Sequence, residues 1–225
     1  RGQADTFRHS GSAGFSHHQT DTQAVPRWIS AHPTGNLAQP CRPQSHPGYD
    51  GLVPQARGAP VSNPKGPAMP DVLKSFDFLL LPCRDNAGPD HWQSHWQAAL
   101  PNMTRVEQDD WVSPKLGPWA ARLDEHISRA QRPVVLIAHS LGTSLIMHWA
   151  QTADTSRIAG AFMVAPSDRG PADIWPEAAT SGFAPMVLEP LPFPAMVLAS
   201  RDDPYVAFDR AELFASAWRA TLVDM

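Results

Sequence analysis

The 225-residue sequence lacks features that would tie it to a membrane, an extracellular scaffold or a nucleic acid. No run approaches the ~18 consecutive apolar residues that a membrane-spanning helix needs. Cysteine is scarce, with only Cys41 and Cys83, so we expect no disulfide scaffold and a reducing, cytoplasmic location. The formal net charge is -4 and no dense Lys/Arg run occurs, which argues against nucleic acid as a partner.

Composition changes sharply near residue 70. Residues 1–70 contain ten of the 24 prolines and eight of the 14 glycines, but only three of the 22 acidic residues. Apolar residues recur there with neither the strand nor the helix period, so the segment cannot offset the entropy lost on ordering. We expect residues 1–68 to be a disordered low-complexity segment, either a flexible tail or the product of a misassigned start. The first methionine is Met69, where the regular pattern begins.

From residue 69 to residue 225, short apolar runs alternate with amphipathic stretches, which is typical of a mostly parallel sheet with helices on both faces. Six strands are expected, at Phe76–Leu81, Thr104–Gln108, Val134–Ala138, Ile158–Val164, Ala195–Ser200 and Thr221–Asp224. Most of them are continuously apolar, as strands buried on both faces are. Apolar residues at helical spacing predict helices around Trp92, Trp119, Leu145 and Phe214. The expected fold class is therefore α/β.

The strand Val134–Ala138 runs directly into His139, Ser140, Leu141 and Gly142. When a strand turns tightly into a helix with a nucleophile at the apex, the residues two before and two after the nucleophile must be small. Ala138 and Gly142 meet this demand, and a helical stretch follows. The pattern predicts a nucleophile elbow of the α/β-hydrolase type with Ser140 as the nucleophile. The alternative is a serine that merely caps the following helix.

Two backbone amides are expected to hold the negative charge that develops on a substrate carbonyl. The amide of Leu141 lies at the start of a helix, where backbone donors and the helix dipole favour an anion. The second donor should come from the loop after the first strand, residues 82–89, where Cys83 or Arg84 would supply it.

A serine nucleophile needs a histidine to accept its proton and a carboxylate to orient that histidine. Asp202 and Asp203 follow the fifth expected strand, and we favour Asp203; the alternative is that both only shape the turn. The histidine should follow the acid in the chain, yet no histidine occurs after His148. His139, inside the elbow, and His148, two turns along the next helix, are both poor candidates for the base.

Four segments together resemble the retinoblastoma-binding protein 9 / YdeN family of small serine hydrolases: Leu80–Trp96, Val106–Trp111, Ala138–Gly142 and Ser200–Val206. The resemblance runs from about Phe76 to Met225. In that family the base stands in a Gly-His step beyond the last strand. The resemblance therefore implies that the histidine and the last helix lie past Met225, and that the chain as written is truncated and nearly inactive. The family also usually has glycine where Cys83 stands.

Two other groups of side chains are weighed as metal ligands. His91 and His95 lie four residues apart on an expected helix, but Trp92 stands where a zinc protease needs glutamate. Asp109 and Asp110 are better explained as a solvated turn. No metal and no cofactor is therefore expected.

The predicted function is hydrolysis of an ester or amide, with a small-molecule or peptide acyl substrate. The alternative, from a different class, is a non-catalytic α/β-hydrolase-fold module that binds a protein partner. No membrane or nucleic-acid partner is expected in either case.

Overall fold

A computed structural model of the chain describes residues 70–169 and 181–225. The predicted disordered segment 1–68 lies outside these residues. The strands are β1 (Asp77–Leu81), β2 (Met103–Arg105), β3 (Val134–His139), β4 (Ile158–Val164), β5 (Ala195–Ala199) and β6 (Thr221–Asp224). The α-helices of the described part are α1 (Trp92–Ala99), α2 (Leu116–Arg129), α3 (Leu141–Trp149) and α4 (Phe208–Trp218), and a 3-10 helix, Asp71–Ser75, precedes β1.

The six strands form one parallel sheet in the order β2-β1-β3-β4-β5-β6. All six expected strands are present, and the predicted α/β class with helices between the strands is confirmed. The expectation for β2 was wrong in its bounds, because the strand ends at Arg105 rather than Gln108. One further hydrogen bond follows it, from the amide of Val106 to the carbonyl of Leu80 at 2.9 Å.

The apolar core lies on both faces of the sheet, as the continuous apolar strands predict. Helices α2, α3 and α4 pack on one face, where Leu123, Leu145 and Phe214 are almost completely buried. Helix α1 packs on the other face through Trp92 and Trp96. Truncating one buried leucine of such a core to alanine lowers the free energy of unfolding by about 2–5 kcal/mol. Packing of this strength holds the strand ends, and the loops that follow them, in place.

Helix α2 has 14 residues and is the longest helix described. Within residues 70–169 and 181–225, no helix combines the length and the apolar character needed to cross a bilayer.

Candidate active site

The predicted site residues lie at the C-terminal edge of the sheet. Ser140 directly follows β3, Cys83 follows β1, and Asp203 follows β5. Strands β1 and β3 are neighbours at the point where the strand order reverses, which is where open parallel sheets bind their ligands. One strand, β4, separates β3 from β5, so their ends are roughly 10 Å apart at about 4.8 Å per strand. The structure thus places Ser140 between the other two segments.

Ser140 has the strained backbone of a tight strand-to-helix turn. Its φ is 49° and its ψ is -113°, values that residues with a β-carbon seldom adopt. The turn is fixed on both sides, because the Ser140 amide donates to the carbonyl of Val164 at 3.1 Å and the Thr143 hydroxyl donates to the Ser140 carbonyl at 2.7 Å. The half-exposed Ser140 side chain makes no capping hydrogen bond to α3, which argues against the capping alternative.

The two small residues of the elbow are packed as the pattern requires. A β-carbon on Gly142 would stand only 2.2 Å from the carbonyl oxygen of Leu81, so no larger residue fits without moving the backbone. Ala138 is fully buried and pairs with Leu81 on one side and Met163 on the other. The elbow is therefore pressed against the end of β1.

Asp203 is held in its turn by backbone amides. Its Oδ1 accepts hydrogen bonds from the amides of Tyr205 at 2.8 Å and Val206 at 3.2 Å, and its side chain is half-buried. Asp202 is exposed and accepts a hydrogen bond from the hydroxyl of Ser200. Within the described part of the chain these bonds use Oδ1 alone, and Oδ2 can accept a hydrogen bond from another group. Asp203 is therefore better suited than Asp202 to orient an imidazole.

A third carboxylate at this edge, Asp168 after β4, was not considered from the sequence. Both of its oxygens accept hydrogen bonds from the guanidinium of Arg210, at 2.7 and 3.2 Å. This bidentate pair joins the segment after β4 to helix α4 and raises the pKa of Arg210, chiefly through the hydrogen bond to Asp168. Asp168 is therefore less suited than Asp203 to orient a histidine.

His139 and His148 face neighbours within the core. His139 is 3% exposed, and its ring lies 4.9 Å from the ring of His91, centroid to centroid. Burial, and then the charge of His91, lowers the pKa of His139 to about 3. His148 Nε2 lies 3.1 Å from the carbonyl of Phe183, and burial lowers the pKa of His148. Both rings are thus packed against core neighbours, and the statement that neither is the base stays a prediction.

The first turn of α1 braces the same edge of the sheet. His91 caps the helix, since its Nδ1 accepts a hydrogen bond from the amide of Gln93 at 3.3 Å. Burial lowers the pKa of His91 to about 4, helped by the charges of Arg105 and His95. This hydrogen bond engages Nδ1 of His91, so that atom is not available as a metal ligand.

Gln93 lies beside the candidate site, and its role was not predicted from the sequence. Its side chain is fully buried, and its Nε2 donates to the carbonyls of Leu81 at 3.4 Å and Ile137 at 3.3 Å. It therefore links the ends of β1 and β3, the two strands that lead to the candidate oxyanion amides. A glutamine beside two aromatic residues at a helix start is the only signal the sequence carries for this role.

Cys83 lies in the loop after β1 and is 3% exposed. Its carbonyl accepts a hydrogen bond from the amide of Asn86 at 3.2 Å, which closes a tight turn. Cys83 is disulfide-bonded in the structure, a bond that the prediction of no disulfide scaffold did not anticipate.

Comparison with known proteins gives the family. The family model described as serine hydrolase matches residues 78–225. A search of curated protein sequences found no match. A solved structure described as a YdeN-like hydrolase from Pectobacterium atrosepticum is 30% identical, with a TM-score of 0.61, over 69% of this chain and 79% of that one.

Two more distant structures share the fold. The ydeN gene product of B. subtilis is 16% identical, with a TM-score of 0.53, over 67% of this chain and 84% of that one. Est1E from Butyrivibrio proteoclasticus, solved with ferulic acid bound, is 10% identical, with a TM-score of 0.53, over 75% of this chain and 83% of that one. With the sheet, the elbow and the family match together, the chain belongs to the serine hydrolase family and has the α/β-hydrolase fold of the YdeN-like hydrolases.

Proposed function

We propose that this serine hydrolase cleaves an ester or amide with Ser140 as its nucleophile. The observation that carries the proposal is the elbow, in which a half-exposed serine has a φ of 49° between a central strand and a helix. In such chemistry the hydroxyl attacks the substrate carbonyl, its proton passes to a base, and the acyl group is then transferred to water. The chemistry uses neither a metal nor a cofactor.

The developing oxyanion is assigned to the amides of Leu141 and Cys83. Leu141 is the first residue of α3, where amides have no partner inside the helix and the helix dipole favours negative charge. Cys83 lies in the loop that follows β1, the strand beside β3. Removing one preorganised donor of this kind lowers kcat about 10²–10³-fold. The position of the loop that carries Cys83 is therefore important for the rate.

Asp203 is proposed to orient the base. Two backbone amides donate to its Oδ1 and fix the carboxylate. The end of β5, which leads to Asp203, lies roughly 10 Å from the end of β3. An imidazole between the acid and the nucleophile can bridge that distance.

The base is proposed to be a histidine in the segment that follows β6. The end of β6 lies beside the acid's turn, because the Ser200 hydroxyl oxygen is 3.1 Å from the carbonyl oxygen of Met225 and Arg201 pairs with Asp224 at 2.8 Å. A residue that follows Met225 would therefore start near Asp203. Tests of hydrolysis therefore need a polypeptide that includes this proposed histidine, which is called the longer polypeptide below.

The substrate class proposed is a small-molecule or peptide ester or amide. The other candidate, a non-catalytic module that binds a protein partner, has no specific observation in its favour among the described residues.

A fluorophosphonate probe tests Ser140 directly, because it reacts with activated serines. We expect it to label the longer polypeptide and to spare Ser140→Ala. The matched control is Ser128→Ala, which removes a hydroxyl that donates to the carbonyl of Glu125 on helix α2, and it should label like the wild type. Equal labelling of Ser140→Ala and the wild type would remove Ser140 from the mechanism.

A further inference from the structure

We propose that Arg105 is a positioning residue for the same site: it holds the β1–α1 loop, residues 82–91, so that the amide of Cys83 faces the reacting carbonyl. The inference rests on the function proposed for Ser140 and adds a residue that touches neither substrate nor nucleophile. It follows from the hydrogen bonds of Arg105, from its anchor in the sheet and from the backbone conformation of the loop.

The guanidinium of Arg105 joins the loop to helix α1. Its Nη1 donates to Oδ1 of Asn86 at 2.7 Å and to the carbonyl of Ala87 at 2.9 Å. Its Nη2 donates to the hydroxyl of Ser94 at 2.8 Å, and its Nε donates to Oε1 of Gln97 at 3.1 Å. One planar group therefore fixes two segments relative to each other, which only a fork of several donors can do.

Arg105 is well placed to act as an anchor. It is the last residue of β2 and pairs in register with Leu80 of β1, one residue before the end of that strand. Groups carried on strands hold a more precise position than groups carried on loops. The half-buried side chain therefore transmits the position of the sheet to the loop.

The loop needs such a restraint because its backbone is strained. Asp85 and Asn86 both have positive φ, 67° and 66°, a region that residues with a β-carbon visit at a cost. The Asn86 side chain is held by Arg105 and also accepts a hydrogen bond from the amide of Ala87 at 2.7 Å. The Asn86 amide in turn donates to the Cys83 carbonyl at 3.2 Å. Arg105, Asn86 and Cys83 thus form one connected path.

All four acceptors of Arg105 are neutral. Within the described part of the chain its contacts are with an amide oxygen from each of two side chains, a carbonyl and a hydroxyl, and no carboxylate is among them. The charge of Glu107 acts on Arg105 and partly offsets the lowering of its pKa by burial, while the hydrogen bonds of Arg105 set the geometry. Lysine at this position would keep the charge but could not reach both segments together.

The first test compares Arg105→Gln and Arg105→Lys with the wild type in the longer polypeptide, using p-nitrophenyl acetate. We expect both variants to lower kcat by about 10- to 100-fold, with KM changed less than about threefold, because only the transition-state oxyanion uses the Cys83 amide. Full activity of Arg105→Lys, or a loss expressed mainly in KM, would overturn the proposal.

The matched control is Arg157→Gln. Arg157 also bonds two backbone carbonyls, Ile127 at 3.2 Å and Ala130, but it lies before β4 at the opposite edge of the sheet. We expect its kcat to stay within about twofold of the wild type. If the two glutamine variants lose kcat equally, the effect is one of general stability and the inference fails.

A second readout does not depend on activity. Amide hydrogen exchange in the peptide that spans residues 82–91 should be faster in Arg105→Gln than in Arg157→Gln, since the strained turn loses its restraint. Asn86→Ala should behave like Arg105→Gln, and the double variant should be no worse than either single one. Ser140→Ala separates the two proposals: retained hydrolysis in that variant refutes the nucleophile, whereas unchanged loop exchange in Arg105→Gln refutes the role of Arg105.

Discussion

The carbonyl oxygen of Leu81 lies 2.2 Å from the point where a β-carbon on Gly142 would stand. The last residue of β1 and the second residue of α3 are therefore in direct backbone contact. This contact places the loop after β1 and the nucleophile's turn side by side, and it makes glycine at position 142 a requirement of the site's geometry.

Gly142→Ala is expected to destabilise the protein and to abolish labelling by a fluorophosphonate. A β-carbon there must push β1 away from α3, and such overpacking costs about 1–3 kcal/mol in the free energy of unfolding. Urea unfolding and probe labelling measure the two effects. The control is Gly117→Ala in α2, where a β-carbon meets nothing within 4 Å and labelling should persist. Wild-type labelling of Gly142→Ala would show that the turn tolerates a side chain.

Asp203→Asn should lower kcat by about 10⁴ in the longer polypeptide, because an amide in place of the carboxylate favours the wrong tautomer of the base. Steady-state hydrolysis of an activated ester measures the loss. Asp202→Asn, one residue earlier and exposed, should leave kcat near the wild-type value. The assignment of the acid is wrong if Asp202→Asn is the more damaging change.

Asp168→Asn tests the alternative acid after β4. We expect it to weaken the pair with Arg210 and to lower the free energy of unfolding by about 1 kcal/mol, since the pair is partly exposed. Hydrolysis should change little. A loss of kcat as large as that of Asp203→Asn, at unchanged thermal stability, would move the acid to the end of β4.

Stability should fall in acid because of two buried imidazoles. Burial lowers the folded-state pKa to about 4 for His91 and about 3 for His139, below the ordinary value of 6.5. As the pH falls through 6.5 the unfolded chain binds protons first, so the free energy of unfolding decreases from there down to the folded-state values. At about 1.4 kcal/mol per pKa unit the loss reaches a few kcal/mol by pH 4.

Urea midpoints between pH 7 and pH 4 measure this loss. His91→Asn removes one titrating ring while keeping an oxygen able to cap α1, so its stability should depend less steeply on pH than that of the wild type. His95→Asn removes an exposed ring whose charge contributes only the smallest share to the low pKa of His91, so it should flatten the curve much less than His91→Asn does. Parallel curves for His91→Asn and the wild type would show that His91 is not the group responsible.

Features encoded in neighbouring residues could be predicted from the sequence. Apolar runs such as Ile158–Val164 identify strands buried on both faces, and the small residues around Ser140 identify a turn whose strain the structure displays. The turn at Asp203 is equally local, because its carboxylate binds amides two and three residues ahead.

Features that depend on partners distant in the sequence could not be predicted. Arg105 finds its partners 8 to 19 residues away, and none of them is a carboxylate that would suggest an ion pair. The pairing of Asp168 with Arg210 spans 42 residues. Likewise, His139 meets His91 across the interface between the sheet and α1, which only the packing reveals.

The contact between the turn of Asp203 and the end of β6 bears on how the protein should be purified. Because the hydroxyl oxygen of Ser200 lies 3.1 Å from the carbonyl oxygen of Met225, anything joined directly after Met225 emerges beside the candidate acid. A polyhistidine tag attached there would bring foreign imidazoles to Asp203, where they would imitate or block the proposed base. An affinity tag at the other terminus, removed before assay, keeps any measured hydrolysis attributable to the enzyme's own residues.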